Sequence, residues 1–380
     1  MTTFYDNWLG MWEKEEKERA AARQVIHEEE IEWVETQQDS KIGLLGAPET
    51  GFRTWGTTTM VAEIKPGEKT GKHKHGEETI YIVSGTGCTV VNGRRYNWGP
   101  GSIMCMPFGS EHQHFNTGDT DARYFAVMAP HLEFFAGLAK FVQFENWGKY
   151  STLPSVPVST DGFEEGGERR ILMTLEMAEQ VNGKPDVKEW DKVEDVTSEE
   201  DLEAWRKLSQ KTGPLDGSKP IEMGIQTGLE QMGIKMPSNA RRAIEGLGFM
   251  SLRKQINGFK NKEVEISSFQ REGPHQATGV HSHMEAMIYC LEGYGYTLVE
   301  DNIRVEWRPG SLIHVQGPQT KHQHFNESDG NSRTLRIAPG FRYFFEDVAH
   351  EEFPYLFNSV RPELIRRIEQ QRQRERIMER

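Results

Sequence analysis

The chain has 380 residues, 27% charged and 36% hydrophobic, and a formal net charge of −13. That composition is an ordinary soluble one, with enough chain for two or three domains with real cores. It argues against nucleic-acid binding, which calls for a basic patch or stripe, and the absence of any run near eighteen apolar residues argues against a membrane span.

In chain order, Asp6 caps a predicted helix running through Trp8, Met11 and Trp12 into the charged stretch up to Arg23, within a helical N-terminal segment of residues 1–50. Nothing there combines a basic stretch with an apolar run, so no signal peptide is expected. From Phe52 the pattern changes to short strands broken by glycine turns: TTTMVAEI (57–64), ETIYIVSG (78–85), GCTVV (87–91), SIMCM (102–106) and RYFAVM (123–128). Strands of this length and spacing predict a β-barrel or sandwich over residues 51–150. Residues 153–170, rich in proline, glycine and charge, read as a linker. They open a region, 151–250, with a helix over 197–210 (Ser198 at its N-cap, Asp201 three positions on) and another around 220–232. The strand pattern returns from about Lys254 and predicts a second barrel over 251–345. In the tail, 346–380, the basic residues alternate with glutamates, as on a solvated helix face. Three scattered cysteines, Cys88, Cys105 and Cys290, argue against a disulfide framework and for a reducing, cytoplasmic compartment.

The return of the strands is an internal repeat. HKHGEETIYIVSGTGCTVV (73–91) matches HSHMEAMIYCLEGYGYTLV (281–299) at an offset of 208 residues; NWGPGSI (97–103) matches EWRPGSL (306–312) at 209; and HQHFN occurs at 112–116 and 322–326, an offset of 210. A duplicated β domain with small changes in turn length explains this drift.

Residues i and i+2 of a strand share a face, so His73 and His75 enter the barrel side by side. Glu78 begins the next apolar run and His112 lies on or beside another strand. Imidazole and carboxylate together suit a divalent transition metal with open positions for substrate or oxygen.

These residues resemble the cupin superfamily. Its first motif is matched by Gly67, His73, His75, Glu78 and Gly85, and its second by Gly101, Pro107, Gly109, His112 and Asn116. Two residues separate His75 from Glu78 where three or four are usual, which leaves Glu77 as the alternative carboxylate. The second copy keeps His281, His283, Gly293, Gly310, His322 and Asn326, but Ala286 stands at the position of Glu78, and Glu285, at the position of Glu77, would face the other side of a regular strand. The resemblance implies a mainly β protein of two jelly-roll (double-stranded β-helix) barrels with N-terminal, linker and C-terminal helices. It implies a metal at His73, His75, Glu78 and His112, and a three-histidine or degenerate site at His281, His283 and His322, the three-histidine form being found in the gentisate-type ring-cleaving dioxygenases.

His114 and His324, two residues after the third histidines, are candidates for acid–base work or for hydrogen bonding behind the ligands. Arg123 and Arg333, each eleven residues after its histidine, are candidates for clamping a substrate carboxylate, or are surface charges. His275 and His314 are expected to be structural or exposed, and Tyr81, Tyr289, Phe115, Phe325, Trp98 and Trp307 to be barrel core or a wall for a planar substrate.

The expected function is a non-haem Fe(II) dioxygenase acting with O2 on a hydroxylated aromatic or related small organic acid. The alternatives are a non-oxidative bicupin using Mn(II), Ni(II) or Zn(II) as decarboxylase, lyase or isomerase, and a non-catalytic small-ligand-binding cupin. A homo-oligomer is expected, with Trp8 and Trp12 packing on a neighbouring barrel.

Overall fold

The structure is a computed structural model. It describes residues 2–138, 140–182, 250–251, 258–270, 274–275, 277, 284–300, 303–317 and 320–340. The expected helices at 197–210 and 220–232, the tail from 346 to 380, and His281 and His283 all lie outside the described residues.

The protein is mainly β. In chain order the strands are β1 (Val25–Ile26), β2 (Ile42–Leu44), β3 (Thr58–Ile64), β4 (Glu68–Lys69), β5 (Lys72–Lys74), β6 (Glu78–Ser84), β7 (Gly87–Val91), β8 (Arg94–Trp98), β9 (Ile103–Met106), β10 (His112–Asn116), β11 (Ala122–Met128), β12 (Val142–Glu145), β13 (Gly148–Lys149) and β14 (Leu172–Met173). The second set is β15 (Met250–Ser251), β16 (Val264–Gln270), β17 (Ala286–Glu292), β18 (Gly295–Val299), β19 (Ile303–Trp307), β20 (Leu312–Val315), β21 (His322–Asn326) and β22 (Arg333–Pro339). The α-helices among the described residues are α1 (Phe4–Ala21), α2 (Pro130–Phe135) and α3 (Leu175–Asn182).

Each repeat builds the same six-stranded sheet. The first is ordered β14-β9-β6-β11-β3-β2 and the second β1-β20-β17-β22-β16-β15. In both, the outermost short strand comes from outside the barrel's own run: β1, from the N-terminal segment, pairs with β20, and β14, from the stretch after the first barrel, pairs with β9. The first barrel is closed by β12-β5-β10-β4-β13 with β7 and β8, and the second by β19-β18-β21.

Period-two alternation divides the side chains between two cores. Along β6 and β11, Ile80, Ile82, Tyr124 and Ala126 fill the first barrel, whereas Tyr81, Phe125 and Val127 point to the opposite face. There they join Met287, Tyr289, Leu335 and Ile337 of the second barrel in one buried cluster, while Ile288 and Cys290 fill the second barrel's interior. The two large sheets therefore pack face to face.

α1 begins earlier than the sequence suggests. Thr3, not Asp6, is the N-cap; its hydroxyl accepts from the Asp6 amide at 3.2 Å, and the Asp6 carboxylate accepts from the Thr3 amide at 2.7 Å. No residue of α1 is buried. Ion pairs from Arg53 to Glu15 and Glu18 hold its C-terminal half, while Phe4, Trp8, Leu9, Met11 and Trp12 are exposed.

Candidate metal centre

The first barrel brings four predicted ligands together. His73 lies on β5 with His75 just beyond it, Glu78 opens β6, and His112 opens β10. β5 and β10 are paired in one sheet with His112 opposite His73, while β6 belongs to the other sheet, so the cluster bridges the barrel interior. The potential ligand atoms of His73, His75, Glu78 and His112 lie within 4.8 Å of one another, and all four residues are buried. Glu78 rather than Glu77 occupies this place because it shares the inward parity of Ile80 and Ile82 on β6.

The hydrogen bonds fix the ring tautomers. His73 Nδ1 lies 3.3 Å from the Gly71 carbonyl, His75 Nδ1 3.1 Å from that of Gly76, and His112 Nδ1 3.0 Å from that of Ser110. A carbonyl only accepts, so each Nδ1 carries the proton and each Nε2 presents a lone pair. Burial, with His112 and His75 as positive neighbours, lowers the His73 pKa to about 2; burial and His112 lower that of His75 to about 4. Burial raises the Glu78 carboxyl, but the close approach of His112 and the charges that His75 and His112 carry when protonated outweigh it and hold the pKa at about 2.

At neutral pH His73 and His75 are thus neutral imidazoles facing the Glu78 carboxylate. His75 Nε2 lies 3.0 Å from His73 Nε2, and Glu78 Oε2 lies 3.3 Å from His112 Nε2 and 3.6 Å from His75 Nε2. Among the described residues, neither Glu78 Oε2 nor His112 Nε2 has a hydrogen-bond partner. Converging buried lone pairs with no proton between them are costly unless a cation sits among them. The donor set fits a divalent transition metal.

Behind the ligands, buried His114 lies with its ring centroid 5.8 Å from that of His112 and 5.3 Å from that of Tyr124. The Thr89 hydroxyl accepts from Trp98 Nε1 at 2.9 Å and lies 2.7 Å from His114 Nδ1. Burial lowers the His114 pKa to about 3. Tyr124 donates to Asp39 at 2.9 Å, and burial raises the Asp39 carboxyl to about 7. Phe141 stacks on His75 with centroids 5.0 Å apart. Asp39, Thr89 and Phe141 were not singled out from the sequence. Only Thr89 left a signal there, since Thr297 repeats it and pairs with His324 as Thr89 pairs with His114.

The second barrel departs from this pattern. His322 and His324 are buried in equivalent positions, with His322 Nδ1 2.7 Å from the Thr320 carbonyl and His324 Nδ1 2.8 Å from Thr297 Oγ1. Ala286 pairs with Val315 as Glu78 pairs with Met106, so a methyl group replaces the carboxylate. Glu285 turns outward from its own barrel, and on that face it meets His314 of β20 at 2.7 Å, both side chains fully buried. His275, by contrast, is exposed beside Asp329.

The two arginines are not substrate clamps in this arrangement. Arg123 lies on the face of β11 opposite Tyr124, ion-paired with Glu28 and Glu63 and set over Trp33. Arg333 pairs with Glu292 at 3.1 Å. Strand alternation turns both away from the barrel interiors. Tyr81, Tyr289, Trp98 and Trp307 are buried core, as is Phe115.

Fold and site together define a β-barrel protein with a buried three-histidine, one-carboxylate centre. Residues 60–128 match the family model described as Cupin domain, and the first barrel is a cupin domain. Two curated proteins are similar over short stretches. One is 5-aminosalicylate 1,2-dioxygenase of a Comamonas species, 45% identical over 65 residues, 17% of this chain and 17% of that protein. The other is 5-nitrosalicylic acid 1,2-dioxygenase of a Bradyrhizobium species, 38% identical over 65 residues, 17% of this chain and 31% of that protein. The matches thus span less than a third of either relative's length. Among solved structures, salicylate 1,2-dioxygenase from Pseudoaminobacter salicylatoxidans with gentisate aligns with a TM-score of 0.45 at 13% identity, covering 77% of this chain and 70% of that one. An oxalate decarboxylase variant from Bacillus subtilis aligns at 0.49 with 11% identity, covering 83% and 77%.

Proposed function

We propose that this protein is a metal-dependent dioxygenase of the cupin type, using non-haem Fe(II) in the first barrel to act with O2 on a hydroxylated aromatic acid. The observation that carries the reading is the convergence of the buried ligand atoms of His73, His75 and His112 with the Glu78 carboxylate, all within 4.8 Å of one another. The named sequence relatives, which act on substituted salicylates, supply the substrate class. His73, His75, Glu78 and His112 would hold the iron, which would supply Lewis acidity and a template for a chelating substrate and oxygen. The chain's own residues do the rest: Phe141, half exposed over His75, offers a flat apolar surface to an aromatic ring, and His114 is a neutral proton donor beside the ligands. The exposed aromatic residues of α1 support a homo-oligomer, for which light scattering would show a mass above one chain.

The test is oxygen uptake by protein reconstituted with Fe(II), over a panel of salicylates and gentisate. Uptake that scales with substrate supports the reading; an anaerobic reaction at the same rate overturns it. The buried, ionised Glu78 favours one second reading, a non-oxidative cupin using Mn(II), Ni(II) or Zn(II) as decarboxylase, lyase or isomerase, because an anionic donor beside the imidazoles suits a metal acting as a Lewis acid. Turnover without oxygen consumption is its signature.

A further inference from the structure

Glu77 and Glu285 occupy the same position in the two repeats, and the structure uses them reciprocally. The Glu77 carboxylate reaches out of the first barrel to the approach to β16 in the second. There it accepts from the backbone amides of Lys262 at 2.9 and 3.0 Å, Glu263 at 3.0 Å and Val264 at 3.4 Å. The Glu285 carboxylate reaches back from the second barrel to the approach to β3, accepting from the Trp55 amide at 3.0 and 3.1 Å. Both are buried, 6% and 0% exposed.

The two latches differ in what stands next to them. Glu77 is bonded directly to Glu78, whereas Glu285 is followed by Ala286. Glu77 is also held at its own amide, which donates to Glu133 Oε1 of α2 at 3.2 Å. That approach is so close that a Cβ on Gly76 would fall 1.6 Å from the same oxygen. The backbone entering β6 is therefore fixed from both sides, by α2 at the Glu77 amide and by the second barrel at the Glu77 carboxylate. Successive strand residues point to opposite faces, so holding Glu77 outward holds Glu78 inward.

We infer that Glu77 is a positioning residue for the metal centre: anchored on the second barrel's backbone, it sets the place of the Glu78 carboxylate among His73, His75 and His112, so that the second barrel supports the affinity of the first barrel's site. The inference rests on the metal assignment of the proposed function. Ligand-orienting partners of this kind are worth roughly 10–100-fold in metal affinity. Glutamine at position 77 would turn an N–H2 group toward amides that only donate, and would lose part of the anchor.

The experiment compares Glu77→Gln with Glu285→Gln in the full chain. Mn(II) binding is followed by the electron paramagnetic resonance of the free ion, the Co(II) form is examined by its visible absorption, and stability is followed by thermal unfolding. Both variants break one latch between the barrels, and both are expected to melt below the wild type. Only Glu77→Gln is expected to weaken Mn(II), by about 10-fold or more, and to change the Co(II) spectrum, with Glu285→Gln staying within about 2-fold. If Glu77→Gln does not fold, Glu77→Asp carries the same comparison, since it keeps the charge but withdraws it by one methylene. Equal weakening in both variants, or none in the Glu77 variant, overturns the inference. A wild-type protein that binds no Mn(II) overturns the metal assignment itself, and the inference with it.

Discussion

Phe125 of the first barrel and Tyr289 of the second stack across the junction of the two large sheets, with ring centroids 4.5 Å apart and planes inclined by 25°. Phe125 is fully buried and sits in the cluster shared by both sheets. Replacing it with alanine removes a large apolar side chain from a place where two rigid sheets cannot collapse to fill the void. A loss of about 3–5 kcal/mol is expected, read by urea unfolding. A loss below about 1 kcal/mol would mean that the barrels do not depend on this contact.

The metal centre predicts a linkage between ion binding and stability. The converging Nε2 atoms of His73 and His75, 3.0 Å apart, cost free energy that a bound cation removes. An ion at 100 times its dissociation constant should stabilise the fold by about 2.7 kcal/mol, and chelation should reverse the gain. His112→Ala should abolish the effect and leave little metal by elemental analysis. Glu78→Ala should retain part of it, because it installs in the first barrel the methyl group that Ala286 provides in the second. Metal-dependent melting that persists in His112→Ala would place the ion elsewhere.

Asp39 gives a pH dependence of definite sign. Burial raises its carboxyl from 3.8 to about 7, with the Tyr124 hydroxyl opposing part of the shift. The folded state therefore holds a proton that the unfolded chain has released between these values, and stability falls as pH rises through that window. The shift corresponds to a penalty on the order of 4 kcal/mol above pH 7. Asparagine keeps an oxygen for the Tyr124 hydroxyl and cannot ionise. The advantage of Asp39→Asn over wild type, measured by chemical unfolding, should be near zero at pH 4 and grow to its full value by pH 8. An advantage that does not change with pH would show that Asp39 is ionised when folded.

Much of this architecture is legible in the sequence because repetition and alternation are written residue by residue. The His-x-His pair, the parity that places Glu78 inward, and the outward turn of Glu285 all follow from the two-residue period of a strand. The β7–β8 hairpin was also written there, in Asn92-Gly93, whose φ angles of 47° and 77° suit a two-residue turn, yet β8 went unpredicted because RRYNW alternates weakly. Contacts between distant elements were not legible. The spacing of Arg123 from His112 leaves open whether it points inward or outward, and which face of β11 it takes is decided by register against β3 and by Glu28, 95 residues away. The pairing of β1 with the second barrel and the Asp39–Tyr124 bond are likewise products of packing, with no local signature.

His114 separates two roles that the sequence leaves together. Its Nδ1 is hydrogen-bonded to the Thr89 hydroxyl at 2.7 Å, and its pKa near 3 keeps it neutral at pH 7. A group in that state can donate a proton or a hydrogen bond, but it adds no titration between pH 5 and 8. His114→Ala should keep metal content within about 2-fold of wild type, because its ring lies 5.8 Å from that of His112 and it is absent from the converging set. Turnover should fall by about 10²-fold or more if proton donation is its task. Thr89→Val, which frees Nδ1, should lower turnover in the same direction by less, with the metal retained. Unchanged turnover in His114→Ala would reduce the residue to core packing, and loss of the metal would make it a support for His112 instead.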